Sequence, residues 1–162
     1  MFRQIQIEKF LKLSFILLAI WAAILLLFGV WLNAGMHSFM PDFSYLKYFS
    51  STFLPILLFF SYSFLTYLGL KKKKNTAFIF GFSTTIPLLL NYLIHNILYY
   101  KVIIPTWNIR NTLGLFLIII LVLILWGLCY LSRTKNIKLM DYVWMVVLSA
   151  IFLLSLLFST KF

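Results

Sequence analysis

Five long runs of apolar residues alternate with short polar gaps along this chain of 162 residues. Each run has roughly the 17–25 residues that an α-helix needs to cross the hydrocarbon core of a bilayer. The first run is longer than the apolar part of a signal peptide, so we expect the protein to keep it as a helix. The pattern therefore predicts transmembrane helices over Leu13–Asn33, Ser51–Leu70, Thr76–Tyr100, Thr112–Leu131 and Asp141–Phe158.

The composition indicates the same class of protein. Hydrophobic residues make up 64% of the chain and charged residues only 10%, whereas an ordinary soluble domain has about 45–50% and about 25%. Three acidic and fourteen basic residues are too few to cover the surface of a soluble fold. We predict an all-α integral membrane protein, a compact five-helix bundle that forms one domain over residues 1–162 and has the lipid bilayer as its first partner.

The net charge of +11 would point to a nucleic-acid partner in a soluble protein. Here the basic residues lie in the gaps between apolar runs, so we expect no nucleic acid and assign them to membrane orientation. Alternate gaps hold ten Lys and Arg on the side of the N-terminus and four on the other side. The positive-inside rule then predicts a cytoplasmic N-terminus and an extracytoplasmic C-terminus. The expected location is a bacterial cytoplasmic membrane, with an organellar membrane as the alternative.

The third apolar run carries a polar stripe. At 100° per residue, Thr84, Asn91 and His95 fall within about 40° of one another, and Pro87 predicts a kink in the same helix. One hypothesis is a binding face or conduit, because polar groups in a membrane are costly to keep. The other is helix packing through hydrogen bonds to the second helix, for example to Thr66.

A second group of candidates lies at the predicted outer face, where histidine, amide and aromatic side chains concentrate. They could recognise a polar headgroup, a peptide or an ion, or they could form an aromatic belt at the interface. Two His and one Asp at loose spacing do not predict a metal site, and we expect no cofactor. The candidate ligand- or partner-binding residues are Thr84, Asn91, His95, Asn96, Tyr99, Trp107, Arg110, His37 and Asp42.

Four consecutive lysines form the strongest linear motif: Lys71, Lys72, Lys73 and Lys74. Such a run anchors the orientation of the neighbouring helices. It is also a candidate contact for anionic lipid, at roughly 1 kcal/mol per lysine near the surface.

Three other segments carry expectations about packing. The basic and apolar segment Met1–Lys12 is expected to lie in the inner interface before the chain turns into the bundle. Ala19 and Ala23 form a small-xxx-small pair suited to helix packing. Leu115–Leu125 is aliphatic or Phe throughout, so we expect it to face lipid broadly.

The sequence favours a non-catalytic role. Cys129 and His95 are predicted near opposite membrane surfaces, on the order of 20 Å apart, too far for a nucleophile and base pair. Asp42, Asp141 and Glu8 do not come together as a catalytic pair. We expect a subunit, assembly factor or immunity-type factor of a larger membrane system, bound to other subunits or to itself. The alternatives are an oligomeric transporter or channel lined by the third helix, and an enzyme acting on a lipid-linked substrate at the outer leaflet.

Overall fold

The computed structural model describes residues 2–39, 49–95, 109–133, 135 and 137–159, and this part of the chain folds into helices without a strand. A π-helical turn, Phe49–Phe53, leads into the second of five α-helices. The predicted all-helical fold is confirmed for the described residues. The helices are α1 Phe2–Phe39, α2 Leu54–Lys71, α3 Thr76–His95, α4 Ile109–Ser132 and α5 Leu139–Ser159.

Four of these helices, α1, α2, α3 and α5, are long and apolar enough to cross a membrane. α4 has 24 residues, and its stretch Phe116–Ser132 is a shorter apolar helix. The architecture is compatible with that of a multi-pass membrane protein. The turn between α2 and α3 and the connection between α4 and α5 lie at one end of the bundle, which we call the basic end because it carries Lys71–Lys74, Arg133, Lys135 and Lys138.

α1 is one continuous helix of 38 residues, so the expected turn after Met1–Lys12 is wrong. Leu11 and Phe15 are fully buried, and Ala19 and Ala22 continue the same face. These residues follow each other at steps of four, four and three, which places them on one side of a helix. Ala22, and not the expected Ala23, is therefore the second buried alanine.

α2 and α3 form the centre of the bundle: α3 packs against α2, α4 and α5, and α2 packs against α1, α3 and α5. α1 also packs on α4. Small residues allow the helices to approach closely, as is common in membrane bundles. A Cβ added at Gly69 would lie 2.6 Å from the backbone nitrogen of Ala77, and one added at Gly81 would lie 3.0 Å from Leu128 Cδ2. The backbones of α2 and α3 are thus in contact beside their connecting turn.

α4 does not face lipid on all sides. Leu121 is 3% exposed and Ile124 and Leu128 are fully buried, whereas Ile119 is 56% exposed. The buried positions recur every three or four residues, so they form one stripe that packs on the bundle. The expectation of broad lipid exposure over Leu115–Leu125 is wrong for this stripe, because a helix that is aliphatic all round gives no sequence signal for its packed face.

A carboxylate fixes the start of α5. The backbone N–H of Lys138 donates to Asp141 Oδ2 at 3.1 Å, and the N–H of Asp141 donates to the Lys138 carbonyl at 3.0 Å. This is the reciprocal half of a capping box, and it also places a negative charge at the positive end of the helix dipole. Asp141 therefore has a structural role at the basic end.

Candidate functional site

The hydroxyls of Thr84, from the predicted stripe, and of its neighbour Thr85 bond within α3. Thr84 is fully buried, and its Oγ1 donates to the carbonyl of Phe80 at 2.7 Å. Thr85 likewise donates to the carbonyl of Gly81 at 2.8 Å. The carbonyl four residues earlier is always within reach of a helical Thr. The expected hydrogen bond from Thr84 to α2 is replaced by this local one.

The hydrogen bond that joins α3 to another helix comes from the neighbouring residue. Ser83 Oγ donates to the carbonyl of Met145 on α5 at 3.1 Å, in a buried position. Pro87, also buried within α3, has no N–H to offer the carbonyl of Ser83. The residue pattern predicts polar contacts of α3 toward α2 and gives no signal for this contact with α5.

Asn91 and His95 both lie in the last two turns of α3 and are partly exposed. Asn91 Oδ1 is buried without a hydrogen-bond partner among the described residues, and so is Ser63 Oγ on α2. Buried polar atoms of this kind are rare in folded proteins. Asn91 lies about one turn from the end of α3 that is opposite the lysines, whereas Ser63 lies near the middle of α2.

The other predicted outer-face residues are only partly covered by the structure. His37 and Arg110 lie within α1 and α4, and nothing is described of their side chains. The remaining candidates lie outside the described residues, so their grouping into an outer site stays a prediction. They are Asn96, Tyr99, Trp107 and Asp42.

The lysine run forms the turn between α2 and α3. The N–H of Lys73 donates to the Leu70 carbonyl at 3.3 Å, and that of Lys74 donates to the Gly69 carbonyl at 2.9 Å. These are the two bonds of a Schellman motif, which requires a left-handed residue after the helix cap. Lys73 is that residue, with φ 55°, although Gly or Asn adopts this conformation at lower cost.

This turn borders a cavity of about 320 Å³ at the basic end, which we call the basic cleft. It lies between the first turns of α1, the turn from α2 to α3, and the end of α4. All four lysines of the run are exposed, but Lys71 and Lys72 do not belong to its wall. The residues that line it are Gln4, Ile5, Glu8, Gly69, Leu70, Lys73, Lys74, Ala77, Phe78, Leu131 and Lys135.

The residues that line the basic cleft are partly charged and partly apolar. Lys73, Lys74 and Lys135 supply three ammonium groups. Glu8 is the carboxylate among the lining residues, and it is ion-paired with Lys12 at 2.6 Å. The positive-inside count assigned all these lysines to one side of the membrane, but it gave no sign that residues of α1 complete a cavity with them.

Two further cavities occur among the described residues. One of about 210 Å³ lies at the opposite end, between Ser51, Pro55, Leu88 and Phe152. The other, of about 400 Å³, is an apolar groove between α3 and α5 beside Phe82 and Tyr142. Neither brings a charged side chain to its wall.

Within the described part of the chain, no three His, Cys, Asp or Glu side chains come together as a metal site. Cys129 is an exposed free thiol. Comparison of the chain with protein-family models, with curated proteins and with solved structures finds no match.

Proposed function

We propose that this chain is a multi-pass protein of a bacterial cytoplasmic membrane with five spans, a cytoplasmic N-terminus and an extracytoplasmic C-terminus. The grouping of basic residues supports this orientation. Lys73, Lys74 and Lys135 line the same cavity as Gln4, two residues after the start of α1. The end of the bundle that holds the N-terminal turns is therefore the one that the positive-inside rule assigns to the cytoplasm.

Reporter fusions test this orientation. At residues 71–75, we expect activity from an inserted reporter enzyme that works only in the cytoplasm. After Phe162, we expect activity from a fused reporter enzyme that works only outside the cytoplasm. A sandwich fusion that keeps the whole chain provides the control for misinsertion. Activity of both fusions on the same side of the membrane would contradict the five-span topology.

Within that membrane, we propose a non-catalytic role as a partner-binding subunit, of the assembly or immunity type, in a larger membrane system. The uncovered half of α1 carries this proposal. Every side chain from residue 23 to residue 32 is partly or fully exposed, in contrast to the buried face that ends at Ala22. Leu27 is 72% exposed and Trp31 69% exposed. The helix is about 57 Å long at 1.5 Å per residue, nearly twice the ~30 Å hydrocarbon thickness.

An aromatic pair gives this half of α1 the features of an interface. The rings of Phe28 and Trp31 stack with their centroids 5.9 Å apart. Large aromatic side chains that are already held in place lose little entropy on binding, and Trp is enriched among the residues that dominate binding energy. We name this surface, centred on Leu27, Phe28 and Trp31, the α1 face.

The partner that suits the α1 face is a membrane-spanning helix of a different protein. Helices associate in membranes through close packing of apolar surfaces. A second copy of this chain would bring together two proteins that each carry a net charge of +11, which opposes association. A partner with acidic loops would instead be attracted to the basic end.

The polar stripe of α3 favours this function over transport. A path for ions or polar solutes needs groups that are free to replace water along its length. The hydroxyls of Ser83, Thr84 and Thr85 instead donate to backbone carbonyls. Packing within the bundle thus accounts for the hydroxyls in the middle of α3, and α1 offers the larger unused surface.

Paired variants test the α1 face. The double variant Leu27→Ala/Trp31→Ala removes its two most exposed side chains. The control Trp144→Ala/Leu154→Ala removes the same two residue types from α5, where they are 48% and 55% exposed. Complexes extracted from native membranes in mild detergent are compared by size, and a photoreactive residue at position 31 identifies the neighbour.

We expect the wild-type chain to migrate in a complex with another membrane protein that crosslinks to position 31. The α1 variant should migrate as the free chain and the α5 variant as the wild type. Crosslinks to lipid alone, with the wild type migrating at the size of the free chain, would overturn the subunit proposal. Crosslinks only to another copy of the chain would overturn the choice of partner.

A further inference from the structure

The basic cleft has an excess of positive charge that the described part of the chain does not neutralise. Lys73, Lys74 and Lys135 reach it from two separate connections of the bundle. The carboxylate of Glu8 is already paired with Lys12 at 2.6 Å. Three ammonium groups around one cavity provide a site for an anion, because phosphate oxygens accept hydrogen bonds from several donors at once.

The turn that ends α2 determines the position of Lys73 at the cleft. This residue has a φ of 55°, in the left-handed region where a long side chain is disfavoured relative to Gly or Asn. The Schellman motif at the end of α2 requires this conformation at position 73. The turn keeps a lysine at this position, and that lysine lines the cleft.

The apolar residues that line the cleft indicate which kind of anion fits. They are Ile5, Leu70, Phe78 and Leu131. A free inorganic anion would gain nothing from these side chains, whereas a lipid places its glycerol and first acyl carbons beside its phosphate. The volume of about 320 Å³ lies within the range of roughly 300–1,000 Å³ of small-ligand sites.

We propose that the basic cleft binds the headgroup of an anionic phospholipid from the leaflet at the basic end of the bundle. The lysine ammonium groups of the cleft contact the phosphate, and the apolar lining residues receive the glycerol backbone and the start of the acyl chains. Basic pockets between transmembrane helices are a common form of anionic-lipid site. This inference is independent of the partner-binding role of the α1 face.

The lysine run itself supplies a matched control. Lys73→Asn/Lys74→Gln removes two charges from the cleft, and Asn tolerates the left-handed conformation at position 73. Lys72→Asn/Lys71→Gln removes two charges from the same run outside the cleft. In the second connection, Lys135→Gln is compared with Arg133→Gln, because Arg133 is exposed and does not belong to the wall.

Binding is measured on the full-length protein in a neutral detergent, by native mass spectrometry with phosphatidylglycerol and phosphatidylcholine as probes. We expect phosphatidylglycerol to bind one per chain in preference to phosphatidylcholine. Removal of each cleft lysine should weaken binding about five-fold and removal of two about twenty-five-fold. The control variants should bind as the wild type, and circular dichroism checks that every variant is folded.

Three results would overturn the proposal. Equal losses in the two double variants would show that the run attracts lipid only through its overall charge. Binding of phosphatidylcholine as strong as that of phosphatidylglycerol would show that the headgroup charge is not recognised. Displacement of phosphatidylglycerol by inorganic phosphate at comparable concentration would assign the cleft to a soluble phosphate compound and not to a lipid.

Discussion

Replacing Gly69 with alanine tests how closely α2 and α3 approach each other. The new Cβ would lie 2.6 Å from the backbone nitrogen and 2.8 Å from the Cα of Ala77, whereas non-bonded atoms prefer about 3.5–4.0 Å. Because both neighbours are backbone atoms, no side-chain rotation relieves the clash, and the helices must separate. Overpacking costs about 1–3 kcal/mol, and the gain in helix propensity returns at most about 1 kcal/mol.

We therefore expect Gly69→Ala to lower the free energy of unfolding by about 2 kcal/mol, the upper part of the overpacking range less the propensity gain. Gly81→Ala should cost less, because its Cβ would meet side-chain atoms and not backbone. These are the ends of the Leu128 side chain at 3.0 and 3.1 Å and Thr66 Cγ2 at 3.2 Å. Gly35→Ala should be neutral or slightly stabilising, since its Cβ would have nothing within 4 Å.

Reversible unfolding in mixed micelles with increasing sodium dodecyl sulfate, followed by circular dichroism, ranks the three variants. The expected order of stability is Gly35→Ala, then Gly81→Ala, then Gly69→Ala. If Gly69→Ala unfolded at the same detergent fraction as Gly35→Ala, the contact between the α2 and α3 backbones would be refuted. If all three variants lost stability equally, a general effect of glycine in the bilayer would replace the local explanation.

Two other hydrogen-bonded positions give predictions with internal controls. Ser83→Ala should lower the free energy of unfolding by about 0.6 kcal/mol, a typical value for hydrogen bonds between helices in membranes, because the bond to Met145 joins two helices. Thr85→Val should change stability less, because its hydrogen bond is local to α3, and a larger loss in that variant would contradict this ranking. Asp141→Asn keeps the cap on the Lys138 N–H but removes the negative charge at the start of α5. It should lower the free energy of unfolding, measured by thermal unfolding in detergent, by about 0.3–1 kcal/mol, because the interaction with the helix dipole is weaker. An unchanged free energy of unfolding would show that the charge is dispensable.

The sequence predicts the number and the approximate bounds of the helices, because long apolar runs separated by polar gaps have few other structures open to them in a membrane. It does not predict where α1 begins. Arg3, Lys9 and Lys12 make the first residues appear suited to an interface, yet Leu11 beside them is fully buried. Long basic side chains can reach water from a helix whose other face is packed, and that packed face is visible only in the folded bundle.

For the polar residues of α3, the sequence predicts burial but not the hydrogen-bond partner. Helical periodicity correctly places Thr84 on a buried face of α3, but it cannot choose between acceptors. A carbonyl of the same helix satisfies Thr84, and the adjacent Ser83 reaches α5 instead. The choice depends on distances of a few tenths of an ångström between helices, which composition does not determine.

The sequence predicts the basic cleft only in part. Counting charges correctly brings Lys73 and Lys135 to the same side of the predicted bundle. Which lysines share a cavity depends on the left-handed turn at Lys73 and on the course of α1 past it. A residue pattern specifies neither of these, so the sequence predicts a lysine motif and not the site that contains it.

The contact between α1 and α4 has a consequence for synthesis of the protein. A Cβ added at Gly127 would lie 3.2 Å from Leu11 and 3.4 Å from Ile7, so the beginning of α1 packs on a helix made more than a hundred residues later. During translation this part of α1 therefore remains without its contact to α4 until α4 has emerged from the ribosome. The wall of the basic cleft closes only when Leu131 and Lys135 have followed. The cleft therefore forms only after residue 135 has been made, and a nascent chain arrested after α3 lacks it.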